Sequence, residues 1–180
     1  MEEINFGSLI EEVLATFNRN RMGIKPRIFV TIPPGIPLIF WHDNGLERCL
    51  RAFLYDTLLM SNPEMPLQIA VHTRTRLKDL EEFVGVEPLC WIQVRIAGYG
   101  LRMRERMIED RFKEQSYRCE EWVGVEDSEA QLAIFRPDDR NEMKMVFCMD
   151  STSSMRKYDL LIPVPERSLL VDLASHHKRS

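Results

Sequence analysis

The chain has no long apolar run, no excess of charge of either sign and no clustered cysteines. Nowhere in its 180 residues does an apolar stretch approach the ~18 residues that a membrane span needs. The opening MEEINFGSLIEE carries acids where a secretory signal needs a basic region and an apolar core, so the expected location is cytoplasmic. Lys and Arg number 24 against 28 Asp and Glu, a net charge of −4. That balance excludes a strongly basic nucleic-acid binder and an acidic disordered chain. Cys49, Cys90, Cys119 and Cys148 lie far apart, with no C-x-x-C pair and no His at zinc-finger spacing. Reduced thiols and no structural metal are expected. His176-His177, followed by Lys178 and Arg179, reads as a polar chain end rather than a ligand pair. Phosphate-cradling G-x-x-x-x-G-K-S/T, H-E-x-x-H, calcium-loop and G-x-S-x-G motifs are all missing.

What is present describes one globular domain. At 44% apolar residues, a chain of this length can bury about 70% of its unfolded surface. Phe6, Leu9, Ile10, Val13, Leu14 and Phe17 recur at helical steps, with Ser8 and Glu11 as a capping box. Arg27–Ile32 reads as a strand, and Pro33-Pro34-Gly35-Ile36-Pro37 as irregular chain. A second helix starts near Asp43, its stripe formed by Leu46, Leu50, Phe53, Leu54 and Leu58, with Glu47 and Arg51 paired on its face. Leu67–His72 and Trp91–Ala97 alternate as strands. Between them, Arg74–Leu89 is a polar connection with a short helix near Leu77–Phe83. Leu101–Glu114 reads as a charged helix and Gln115–Asp127 as a loop without period. Strands follow at Gln131–Arg136, Glu142–Met149 and Tyr158–Val164, with a turn at Pro137-Asp138-Asp139-Arg140-Asn141 and a terminal helical turn at Leu169–Leu173. The expected architecture is an α/β two-layer sandwich spanning residues 1–180, with a mixed, mostly antiparallel sheet covered by helices on one face.

Gly98 and Gly100 alone signify only a tight turn, but their company says more. Leu9–Leu14, the strand Arg27–Ile32 and the helix Asp43–Thr57 precede them. The box Val94-Arg95-Ile96-Ala97-Gly98-Tyr99-Gly100-Leu101 and the element Ile108-Glu109-Asp110-Arg111-Phe112 complete the series. In order and spacing this series resembles the ATP-binding domain of sensor histidine kinases, grouped with DNA gyrase, a heat-shock chaperone and MutL. The resemblance is clearest over residues 4–112 and runs more loosely to 164. It matches the family's D-x-x-x-L-x-Q/R-V-L-x-N-L-L-x-N-A helix, V-x-D-x-G-x-G-I box and I-F-E-x-F element.

The polar residues depart from that pattern. The resemblance implies a magnesium-binding Asn where this chain has Asp56, and a companion Asn where it has Ala52. The Asp that accepts from the adenine amino group is replaced by Ile96. Losing such a charged partner costs about 1.5–3 kcal/mol, roughly 10- to 150-fold in affinity. The second glycine-rich box has no counterpart; after Phe112 only Gly124 remains, among acids. Asp56 is a carboxylate and so could retain Mg²⁺; alternatively it is solvated or paired with an Arg. Ala52, Asp56, Ile96, Gly98, Tyr99 and Gly100 thus form the candidate ligand pocket, with no catalytic residue. Neither His42, at a helix start, nor His72, on a strand, has the setting of a phosphoacceptor, and no autophosphorylation in cis is expected.

Three functions remain open. One is a non-catalytic regulatory or protein-interaction module on a degenerate ATPase fold, with no cofactor. Its partner is expected to be a protein, reached through Arg74–Leu89, Gln115–Asp127 or the helix Arg102–Lys113, with homodimerisation also possible. The second is a small Mg-ATP-dependent kinase of the anti-sigma-factor type. The third is a site for an apolar small ligand beside Ile96 and Tyr99. Membranes and nucleic acids are not expected partners.

Overall fold

A computed structural model describes residues 2–37, 39–41, 45–85, 87–138, 144–151 and 153–165. His42, Asp43, the turn residues 139–141, Leu169–Leu173 and the 176–179 tail lie outside them. The first strand, β1 (Glu2–Ile4), leads into α1 (Phe6–Asn20). The helix is capped by Asn5, whose side chain accepts from the Ser8 N–H at 3.0 Å. Ser8 therefore does not cap the helix as its spacing with Glu11 suggested, and Phe6 is the first helical residue and is buried.

β2 (Ile28–Thr31) follows, then a turn at Pro34-Gly35 and β3 (Ile39–Trp41). β3 pairs antiparallel with β1, Ile4 facing Ile39, in a small sheet of two strands. α2 (Gly45–Leu59) buries the expected stripe Leu46, Leu50, Phe53, Leu54 and Leu58. Arg51 ties it to itself through Glu47 at 2.8 Å and to α1 through Glu12 at 2.6 Å.

The remaining elements are β4 (Leu67–Arg74), α3 (Lys78–Val84), β5 (Cys90–Tyr99), α4 (Glu105–Glu114), β6 (Tyr117–Gly124), β7 (Gln131–Pro137), β8 (Met145–Asp150) and β9 (Met155–Val164). Seven strands form one sheet in the order β2-β4-β5-β9-β8-β7-β6. Among the described residues only the β2–β4 pair is parallel.

Expectations for two later segments are corrected. Gln115–Asp127 is not a loop: only Gln115 and Ser116 separate α4 from the edge strand β6. A bulge between Cys119 and Glu121 breaks the strand's alternation and hid its period. The charged helix begins at Glu105, not Leu101. Leu101 and Met103 are drawn into the core, and β9 pins this segment through Arg156 to the Leu101 carbonyl at 3.0 Å.

Alternation along the strands divides the interior in two. Ile92, Val94, Ile96, Ala133, Phe135, Phe147, Leu160 and Ile162 face α1, α2 and α4. The intervening Trp91, Ile134, Val146 and Leu161 face the other way and pack with Leu80 and Val84 of α3 and with Leu77 just before it. The helices are thus not all on one face, because α3 covers part of the second.

Candidate functional site

α2 and α4 meet at Asp56. Its almost fully buried carboxylate lies 2.7 Å from Nε of Arg111 and accepts a second bond from Nη2 at 3.3 Å. Arg111 also reaches Glu114 at 3.4 Å, one turn further along α4. Burial raises the Asp56 carboxyl above its ordinary value, and Arg111 offsets only part of that shift. The same pairing raises Arg111.

Beside the pair opens a cleft of about 310 Å³ lined by Asp56, Leu59, Met60, Met107, Asp110, Arg111 and Glu114. Its ionisable walls carry three carboxylates against one guanidinium. An anionic ligand meets repulsion there, whereas an apolar or cationic group finds Leu59, Met60 and Met107 under an acidic rim.

The other candidate residues are dispersed by the fold. Ala52 lies one turn before Asp56 on α2, half-buried. Ile96 is sealed in the helix-covered core, between Ile69 of β4 and Tyr158 of β9. It does not line the cleft. Gly98 faces Leu67 in the β4–β5 ladder; a Cβ there would sit 2.5 Å from Leu67 Cδ2 and 3.3 Å from the Pro66 carbonyl. Gly100 holds φ +70° against Asn62, a conformation that side chains rarely adopt. Both glycines are accounted for by this chain's own packing. Tyr99 between them is exposed. The structure therefore joins Ala52 and Asp56 on one helix, places Gly98 and Tyr99 at the end of β5 with Gly100 in the turn after it, and leaves Ile96 enclosed.

Sequence reasoning missed the part played by Arg111. An Asp–Arg pair across 55 residues of chain leaves no periodic signal. A further ion pair joins Arg95 and Asp159 on the α3 side of the sheet at 2.7 and 2.8 Å. Cys148, beside Asp159 in the β8–β9 ladder, is pushed up to about 12, first by burial and then by the Asp159 and Asp150 charges. Among the described residues no cluster of His, Cys, Asp or Glu is arranged to hold a metal ion. No helix among them is long and apolar enough to cross a membrane.

No sequence family matches the chain, and no curated protein does so either. Solved structures do match. The nucleotide-free catalytic domain of histidine kinase ThkA superposes with a TM-score of 0.52 at 9% identity, covering 92% of this chain and 99% of that one. The fold is that of a histidine-kinase catalytic domain. A second crystal form of ThkA gives a TM-score of 0.51 at 9% identity, over 93% and 99% of the two chains. The mycobacterial sensor histidine kinase MprB aligns over 91% of this chain and 99% of its own at 12% identity, with a TM-score of 0.47. At these identities the likeness concerns architecture, and function has to be argued from the site.

Proposed function

We propose that this chain is a non-catalytic regulatory or protein-interaction module built on the histidine-kinase ATPase fold. The observation that carries the reading is the apolar Ile96 at the position where the family resemblance implies the adenine-accepting carboxylate. An isoleucine offers no acceptor, and a buried one offers no surface to a base.

The surroundings support the same reading. Mg-ATP does not fit the residues present. The Asp56 carboxylate is engaged by Arg111 at 2.7 Å, so a cation there would have to displace a guanidinium already in place. The cleft beside it has a net negative lining, which repels a triphosphate. Between α4 and β6 only Gln115 and Ser116 intervene, too short a stretch for a glycine-rich phosphate cradle. The residues present leave a shaped, acidic and apolar cleft, suited to protein contact.

The test is thermal unfolding with millimolar Mg-ATP or Mg-ADP. A ligand that binds only the folded state raises Tm by mass action. No shift is expected. A rise of several degrees that disappears in Asp56→Ala would instead establish nucleotide binding at this site and favour the nucleotide-dependent kinase. A shift produced only by an apolar ligand would establish the small-molecule site.

A further inference from the structure

The seven-stranded sheet ends in two edges of opposite character. β6 is guarded: Arg118, Glu120 and Glu121 lie along it and a bulge interrupts it. β2, Ile28-Phe29-Val30-Thr31, has no charge, no proline and no bulge. Phe29 is 58% exposed and Val30 41%, and the segment leading to them exposes Met22 at 94% and Ile24 at 65%. Among the described residues, four of the ten exposed large apolar side chains thus fall within residues 22–30. Among the described residues no strand pairs with the outer side of β2.

The hydrogen-bonding direction of that edge is fixed. The Leu67 N–H donates to the Arg27 carbonyl at 2.8 Å, so Arg27, Phe29 and Thr31 present their peptide groups to β4. Ile28 and Val30 present theirs outward. We propose that this edge pairs with the same edge of a second copy, the two β2 strands running antiparallel about a two-fold axis at Phe29.

In that register Ile28 faces Val30 of the second copy and Val30 faces its Ile28. About four peptide hydrogen bonds form between the outward groups. Phe29 meets Phe29 of the second copy as a non-hydrogen-bonded pair, the kind in which side chains approach most closely. The sequence is self-complementary, as a two-fold interface requires. No two cations fall directly opposite each other: Arg27 faces Thr31 and Lys25 faces Pro33 of the second copy. Pro26, on the same outward parity as Ile28 and Val30, lacks an N–H donor and closes the ladder at one end.

From Val13 to His42 the chain carries Arg19, Arg21, Lys25 and Arg27 and no acid, so two basic surfaces approach each other. Their repulsion is screened by salt, and association strengthens as ionic strength rises. A ladder this short belongs to the weak, transient class of interfaces. The edge stands whether or not nucleotide binds.

Sedimentation of the full chain from micromolar to millimolar concentration tests the pairing. The mean mass rises from one chain towards two, and more steeply at high salt. Val30→Lys places a charge on the edge and weakens association at least tenfold, while far-UV circular dichroism shows the fold intact. Phe29→Cys gives a second readout. Its Cα atoms lie about 4.5 Å apart across the axis, within disulfide reach. Mild oxidation therefore locks that variant as a covalent dimer, whereas Thr31→Cys and the parent chain stay single. A single-chain mass at every concentration overturns the proposal, and with it points to a foreign strand as occupant. So does a Val30→Lys variant that associates like the parent, or equal cross-linking at positions 29 and 31.

Discussion

Asp56 and Arg111 close on each other at 2.7 Å across the seam between α2 and α4, joining two helices that are 55 residues apart in sequence. The pair is a structural contact that ties the two helices together. Arg111 is half-exposed, so the contact is worth less than a fully enclosed pair, yet the carboxylate it neutralises is almost fully covered. Arg111→Ala is expected to cost about 1–2 kcal/mol at pH 7. Urea unfolding measures it. At pH 5 the loss shrinks, because an Asp56 without its cation takes up a proton more readily.

The raised Asp56 carboxyl gives a pH signature with a definite sign. Its folded value lies above the unfolded value near 3.9, so the folded chain binds the proton first. The stability linked to this group is fully present below the unfolded value and is lost as pH rises through the folded one. Compared with Asp56→Asn, the parent chain therefore gains stability as pH falls from 7 towards 4. Parallel melting curves of the two proteins should converge or cross in that direction. A constant gap contradicts the assignment.

Gly98 is predicted to be indispensable for packing rather than for phosphate binding. Gly98→Ala drives a Cβ into Leu67 Cδ2 and towards the Pro66 carbonyl, at an expected cost of about 1–3 kcal/mol. Shortening the obstructing side chain in Gly98→Ala/Leu67→Ala should make the double variant less unstable than the sum of the singles. Additive losses would count against the Gly98–Leu67 contact as the cause.

The part-buried thiols are expected to be inert. Cys148 is pushed up to about 12 and Cys119 to about 11, both first by burial. Iodoacetamide at pH 8 should label Cys148 in the folded chain about two or more orders of magnitude more slowly than in urea, because the thiolate is the reacting form. Mass spectrometry of the labelled peptides reads the rate at each cysteine.

The elements legible in the sequence are those whose partners repeat locally. The α1 and α2 stripes, and the alternating Leu67-Ile69-Val71 and Ile92-Val94-Ile96, announce themselves because burial follows one period. β6 escaped notice because its bulge shifts the alternation midway. α3 was visible as a helix, but its position on the second face depends on Trp91, Ile134, Val146 and Leu161, which come from four different strands. β1 and β3 span only three residues each, below the length at which alternation speaks. At the candidate site, Asp56 and the glycine turn could be picked out by resemblance. Arg111 could not, since nothing in the spacing of two distant charges says that the fold will join them.

Buried Ile96 and the Arg111-paired Asp56 are proposed to leave no place for a nucleotide. Isothermal titration of the folded chain with Mg-ATP, and separately with Mg-ADP, addresses this directly. The account predicts no saturable heat up to millimolar ligand. A one-to-one isotherm that Asp56→Ala abolishes would contradict it.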